Sequence, residues 1–349
     1  MESSAQSSPE ETARRVRGGE ERALARLISG LEDGDARSAA VLRALRAESG
    51  RIGQIIGLTG PPGAGKSTLA DKLIGIYRGR GERVGVLAVD PSSPFTGGAI
   101  LGDRIRMQAH ACDPGVFIRS LASRGRLGGL SRATAQAARA LEAAGYGLVL
   151  VETVGIGQSE VDIARLADSV VLISMPSSGD DIQTIKAGVM EIGDIFVVNK
   201  ADRDGADRAV REIEAMLEIS AQARSQDRGG ASLDHGAFEA MRRAQAREVG
   251  RAPVLKTVAE TGEGLPQLAA ALDARWEALR SSGGLEERRR RGAIAEARAL
   301  LSDRVLAELE LLESGLEDAL ADRIVRGELE AAQAADILFK SMRGGGKDG

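Results

Sequence analysis

Aromatic side chains are the scarcest class in this sequence: five Phe, two Tyr and one Trp among 349 residues, or 2% of the chain. So few rings exclude a base-stacking platform for single-stranded nucleic acid and the aromatic belts of a membrane interface. A basic excess is missing too: 47 Lys+Arg stand against 51 Asp+Glu, for a formal charge of −4, which a broad nucleic-acid surface does not fit. The single cysteine, Cys112, rules out an intramolecular disulfide and any Cys-rich zinc module, and a reducing compartment follows. Apolar runs such as Val170 to Met175 are too short to cross a bilayer, and Met1 to Glu11 has neither the basic start nor the apolar stretch of a secretory signal. The expectation is a cytoplasmic protein with no nucleic-acid and no membrane partner.

What is present is 43% hydrophobic sequence, enough for a sizeable core. Residues 1–50 are helical in pattern. Ser8-Pro9-Glu10-Glu11 supplies a cap hydroxyl and a helix-starting Pro, apolar residues follow at Leu24, Leu27, Ile28 and Leu31, and Val41, Leu42 and Leu45 come after the Asp33-Gly34-Asp35 break. The pattern predicts a helical hairpin. From Arg51 short apolar runs at 54–58, 84–89, 116–118, 147–151, 169–174, 194–198 and 253–258 alternate with helix-spaced segments. This alternation predicts an α/β fold, a mostly parallel central sheet covered by helices on both faces, with helical extensions at each end.

The polar stretch 220–252 reads as an insertion before the last strand. Ser281-Ser282-Gly283-Gly284 reads as a linker. Beyond it Ile294, Ala297, Leu301, Val305, Leu309 and Leu312 form one apolar stripe, and Ile324, Val325, Leu329, Ala332 and Ile337 predict a further helix. These helices either pack on the core or form a dimerisation arm. Arg288 to Arg291 reads as a solvated helix face rather than a binding patch. The expected organisation is a hairpin at 1–50, one catalytic domain at 51–280, a helical arm at 285–342 and a disordered tail at 343–349.

Gly60-Pro61-Pro62-Gly63-Ala64-Gly65-Lys66-Ser67 matches the P-loop pattern at every fixed position, after a strand and before a helix. Glycines let backbone N–H groups turn around phosphate oxygens, the helix N-terminus adds partial positive charge, and Lys66 reaches the β- and γ-phosphates. Ser67 would ligate Mg²⁺ and Thr68 would donate near the α-phosphate. Asn199-Lys200-Ala201-Asp202 follows the run 194–198. A carboxylate at Asp202 accepts from guanine N1–H and the 2-amino group, a pairing adenine cannot offer, while the stem of Lys200 lies over the base. Asp90 and Glu152 end strands, where a hard cation is held beside a P-loop; singly, Asp90 or Asp103 also fits a cap or turn. Gly155 can bring its N–H to a γ-phosphate.

Together with Val89-Asp90-Pro91-Ser92-Ser93, Thr96-Gly97-Gly98, Leu101-Gly102-Asp103, Leu127-Gly128-Gly129 and Glu152-Thr153-Val154-Gly155-Ile156-Gly157-Gln158-Ser159-Glu160, these runs resemble one family of P-loop GTPases. It is the metallochaperone and mutase-chaperone family with Glu in the third nucleotide motif, and within it the methylmalonyl-CoA mutase-associated, MeaB/ArgK-like type. The resemblance spans about 50–205. It implies that Ser67, Asp90, Asp103 and Glu152 surround Mg²⁺ and that Gly179 to Lys186 forms a third switch relaying nucleotide state. It also implies a homodimer that binds an adenosylcobalamin-dependent acyl-CoA mutase, with GTP binding and hydrolysis to GDP gating cofactor loading and exchange and protecting the mutase.

Two features depart from the pattern. The last guanine loop is Val258-Ala259-Glu260, so base contact there rests on backbone, and Ser177-Ser178 stands where relatives often have Gly and Ala. Ile156, not Gln, follows Gly155, so the usual water-orienting amide is missing and slow intrinsic hydrolysis is expected. Lys66, Glu152, Gly155, Arg104 and Gln158 are the candidate catalytic residues, with Arg106 as an alternative source of transition-state charge. Two other functions stay open: nickel or cobalt delivery through His110 and Cys112, against which stands the commoner case of a small buried Cys, and an ATP-dependent kinase or transport ATPase, against which Asn199 to Asp202 speaks. The aromatics after the GTPase stretch are Phe238, Trp276 and Phe339, so the flanking helices present aliphatic faces, which suit docking to protein.

Overall fold

The computed structural model describes residues 7–47, 52–91, 108–110, 112–123, 132–153, 159–176, 192–226, 252–309 and 315–344. Among them lie seven strands: β1 (Gln54–Thr59), β2 (Val84–Pro91), β3 (Val116–Ser123), β4 (Leu148–Thr153), β5 (Ser169–Ser174), β6 (Ile195–Val198) and β7 (Val254–Lys256). They form one sheet in the order β3-β2-β4-β1-β5-β6-β7, and every pairing is parallel. Parallel strands covered on both faces need apolar side chains at successive positions, which is why these segments read as continuous apolar runs. In β4, Leu148 and Leu150 join one core and Val149 and Val151 the other.

The crossover helices supply the two covering layers. On one face lie α4 (Lys66–Gly79) and α8 (Leu265–Ser281), packing Leu69, Leu73, Leu268 and Leu272 against Ile56, Leu58, Val171 and Val197. On the other lie α5 (Arg132–Ala143), α6 (Ser159–Leu166) and α7 (Ala206–Gln226), the last covering Leu172, Phe196 and Val198.

The N-terminal segment forms three helices, α1 (Pro9–Arg17), α2 (Glu21–Glu32) and α3 (Ala36–Ala47), rather than the expected hairpin. Ser8 caps α1 by accepting from Glu11 N–H, as its sequence predicts, but α1 stops at Gly18, and Gly19 takes φ +87°, which splits the first helical stretch in two. Leu24, Leu27, Ile28 and Leu31 of α2 join the core that α5 lines, and Arg119 of β3 pairs with Glu32 at 2.6 Å.

The chain divides into two compact units, residues 1–292 and 293–349. The long helix α9 (Gly284–Leu309) begins in the first and continues in the second, which also holds α10 (Leu316–Val325) and α11 (Ala331–Gly344). Of the expected tail at 343–349, Arg343 and Gly344 close α11 and the rest lies outside the described residues. In the polar stretch 220–252, residues 220–226 extend α7 and 227–251 lie outside them.

The run Arg288 to Arg291 departs from its expected solvated face. Arg290 and Arg291 do pair with Glu287 on their own helix. Arg288, however, is buried, and its guanidinium binds Asp194 Oδ2 at 3.0 Å and the Ala167 carbonyl at 2.8 Å. Arg289 forks onto both oxygens of Asp168, at 2.8 and 2.7 Å, and reaches Glu142 and the Gly53 carbonyl. Buried Arg275 of α8 adds a 2.7 Å bond to Asp194. Both carboxylates also cap the sheet, Asp168 accepting from Ile55 N–H and Asp194 from Val170 N–H. Burial opposes the charge on Arg289, yet Asp168 and Glu142 overcome it and raise its pKa; on Arg275 burial prevails and lowers it. The root of α9 is thus latched to the amino-terminal edge of the strands.

Candidate nucleotide site

All the described motif residues gather at the opposite, carboxyl edge of the sheet. Gly60 follows β1, Asp90 is the penultimate residue of β2, Glu152 that of β4, Asn199 follows β6, and Val258-Ala259-Glu260 follows β7. Ligand sites of open α/β sheets form at this edge, where helix N-termini converge on the strand ends.

Gly60 to Gly65 turn the chain from β1 into α4. Gly60 has φ +144° and Gly65 φ +89°, and a Cβ on Gly65 would overlap the side-chain amide of Asn199. The helix starts at Lys66 with no side-chain cap, which leaves its first-turn N–H groups to serve an anion. Pro62, Gly63 and Thr68 are exposed, while Ala64 and Ser67 are buried. Lys66 Nζ donates to the carbonyls of Gly60 at 2.9 Å and Pro61 at 3.0 Å, so the ammonium folds back across the turn its own loop makes.

Asn199 ties the two ends of the site together. Its Nδ2 donates to the Ala64 carbonyl at 2.7 Å, and its Oδ1 accepts from Thr257 Oγ1 and from Ala259 N–H, both at 3.0 Å. Lys200 takes the left-handed φ of +56°, which turns the chain outward and leaves Asp202 exposed. The Ala259 N–H, expected at the base, is engaged by Asn199, and Val258 N–H by the Glu263 carbonyl; Glu260 is exposed. Thr257 was not among the sequence candidates. A hydroxyl directly after a strand and before the guanine loop was the available signal.

On the phosphate side, Ser67 Oγ donates to Glu152 Oε1 at 2.6 Å, and both residues are buried. Two hard oxygen donors at that separation, beside a P-loop, fit a Mg²⁺ ion. Asp103, Arg104, Arg106, Gly155, Gln158 and the run Gly179 to Lys186 lie outside the described residues, as do Ile156 and Ser177-Ser178. His110 Nε2 lies 3.1 Å from the Asp71 carbonyl, and Cys112 is exposed rather than a buried filler. Among the described residues no group of three or more His, Cys, Asp or Glu is placed to hold a metal ion, and no helix is long and apolar enough to cross a membrane.

The family model described as methylmalonyl Co-A mutase-associated GTPase MeaB matches residues 22–313. A putative GTPase of Pyrococcus abyssi is 43% identical over 339 residues, covering 97% of this chain and 98% of that protein. The mitochondrial methylmalonic aciduria type A homolog of Mus musculus is 34% identical over 297 residues, 82% of this chain and 65% of that protein. A crystal structure described as LAO/AO transport system kinase superposes with a TM-score of 0.68 at 26% identity, covering 95% of this chain and 97% of that one.

Proposed function

Because the chain belongs to the methylmalonyl Co-A mutase-associated GTPase MeaB family, we propose that it binds GTP with Mg²⁺ at the carboxyl edge of the sheet, hydrolyses it to GDP and phosphate, and serves as a chaperone of an adenosylcobalamin-dependent acyl-CoA mutase. The observation that carries the nucleotide reading is Asn199, whose amide joins the phosphate loop at Ala64 to the guanine loop at Thr257 and Ala259. A base seated by Asp202 and phosphates seated by residues 60–67 would therefore share one hydrogen-bonded frame.

In this reading the N–H groups of the phosphate loop and the first turn of α4 hold the β-phosphate. Lys66 leaves the Gly60 and Pro61 carbonyls for the β- and γ-phosphates, exchanging two neutral acceptors for charged ones. Ser67 and Glu152 would hold Mg²⁺, with Asp90 and Asp103 completing its surroundings, and the ion would offset charge on the β- and γ-oxygens. Water attacks the γ-phosphorus as the bond to the β-bridging oxygen breaks. Ile156 carries no amide to orient that water, which supports slow turnover alone and stimulation by a partner.

The partner reading rests on the family description. Unit two adds support for assembly, since Leu301 and Leu306 of α9, Val325 of α10 and Phe339 of α11 are exposed, as a homodimer arm requires. A kinase role, after the description of the similar solved structure, would call for ATP, and Asp202 behind Asn199 and Lys200 supports guanine instead. The deciding experiment is purification of the tagged protein with and without a non-hydrolysable GTP analogue. Nucleotide-dependent recovery of an acyl-CoA mutase subunit is expected. Recovery of no mutase in either state, or ATP bound as tightly as GTP, would defeat the proposal.

A further inference from the structure

β1 and β4, neighbours at the centre of the sheet, both end in threonine. Thr59 is the last residue before the Gly60 turn, and Thr153 immediately follows Glu152. Both side chains are buried, with exposures of 0% and 1%. The Thr153 hydroxyl lies 3.0 Å from Thr59 Oγ1 and 3.4 Å from the Leu58 carbonyl. Elsewhere the two strands fill their buried positions mainly with Ile, Leu and Val. Valine has the shape of threonine and needs no hydrogen-bond partner, so packing alone gives no reason for two hydroxyls at this level.

The pair sits where a small displacement has the largest chemical effect. Glu152 is register-paired with Leu58 and accepts from Ser67, so its carboxylate must meet the first turn of α4 at a set distance. One residue on, the Thr153 hydroxyl pins the same strand end to Thr59, from which the phosphate loop departs. We propose that Thr153, with Thr59 as its partner, is a positioning residue that holds Glu152 at its bonding distance from Ser67 and so sets the strength of cation-assisted nucleotide binding. The proposal rests on the guanine-nucleotide reading of the site, and its consequence is selective. Loss of the hydroxyl should weaken nucleotide binding only when the divalent cation takes part, because the phosphate loop itself keeps its own backbone.

The test is titration of the full chain with fluorescently labelled GTP, in Mg²⁺ and in EDTA, for the wild type, Thr153→Val and Thr153→Ser. The valine variant is expected to bind roughly tenfold more weakly in Mg²⁺, the size of effect seen when groups supporting a metal ligand are removed, and to match wild type in EDTA. Serine, which keeps the hydroxyl, should restore binding. Equal losses in both conditions, or no loss at all, would overturn the proposal. Should Thr153→Val fail to fold, the same criterion applies to Thr59→Val, which removes the bond from the other side. Failure of the wild type to bind guanine nucleotide would instead bring down the site reading itself, and the wild-type titration separates these results.

Discussion

Ser67 Oγ donates to Glu152 Oε1 at 2.6 Å, joining the first turn of α4 to the end of β4. The bond spans 85 residues of sequence and is buried, so it exists only because β1 and β4 are neighbours. A hydroxyl and a carboxylate held together beside a phosphate loop are a ready pair of oxygen ligands.

Glu152→Gln keeps the shape of this pair and removes its charge. Nucleotide affinity in Mg²⁺ is expected to fall roughly 10- to 100-fold, with affinity in EDTA unchanged. Isothermal titration in the two conditions checks this, and equal Mg²⁺ dependence in both proteins would remove Glu152 from the cation site.

Gly65→Ala places a methyl group against the Asn199 amide at a backbone φ of +89°. The strain should cost about 1–3 kcal/mol in urea unfolding and weaken GDP binding as well, because the Asn199 bond to Ala64 breaks. A variant of wild-type stability and affinity would show that the loop relaxes without loss.

Asp202→Asn exchanges an acceptor for a group that is partly a donor. GTP affinity should drop by roughly 100-fold or more while xanthosine triphosphate, which carries an oxygen in place of the 2-amino group, gains. Competition binding measures both, and retention of GTP preference would place base recognition elsewhere.

Much of the fold was legible because its signals are local. The strands at 54–59, 148–153 and 169–174 follow closely the apolar runs read from the sequence, since a strand buried on both faces has no polar positions to break the run. The phosphate loop and Asn199 to Asp202 were legible for a related reason: backbone geometry dictates several adjacent residues at once. The role of Arg288 and Arg289 was not. Their partners Asp194 and Asp168 lie 94 and 121 residues away, and no property of four consecutive arginines distinguishes the two that reach across the fold to pair with them. Thr257 was missed likewise, because its partner Asn199 is 58 residues distant.

Asp194→Asn tests that latch. Neutralising a carboxylate shared by buried Arg275 and Arg288 leaves guanidinium charge uncompensated and should cost about 3–5 kcal/mol. Trp276, the single tryptophan, lies 6.0 Å from the Arg289 guanidinium, so its fluorescence should follow the unfolding of this edge. A variant that unfolds at the wild-type urea concentration would refute the latch.

Asp113 gives a pH signature. Its carboxylate is held down from 3.8 to about 2 by the forked Arg78 guanidinium, at 2.8 Å to each oxygen, and by Gly115 N–H. A carboxylate lowered by folding stabilises the native state above its unfolded pKa, and that contribution disappears as pH falls through the folded value. Asp113→Asn should therefore be less stable than wild type at neutral pH, with the gap closing between pH 3.8 and about 2. Thermal melts across that range check the sign; a gap that stays constant would assign the effect to something other than this charge.

β5 alone stands between β1 and β6. The phosphate turn and the Asn199 run are consequently two strand spacings apart, ~10 Å, and the sheet acts as a ruler for whatever lies across its edge. Its graduation is the number of strands, which loops cannot alter. Chain added after β6, such as the polar stretch before β7, leaves the gauge as it is, whereas one more strand between β1 and β6 would widen it by about half again, to ~14 Å. Insertions leave this span unchanged only where β5 stays the single strand between β1 and β6.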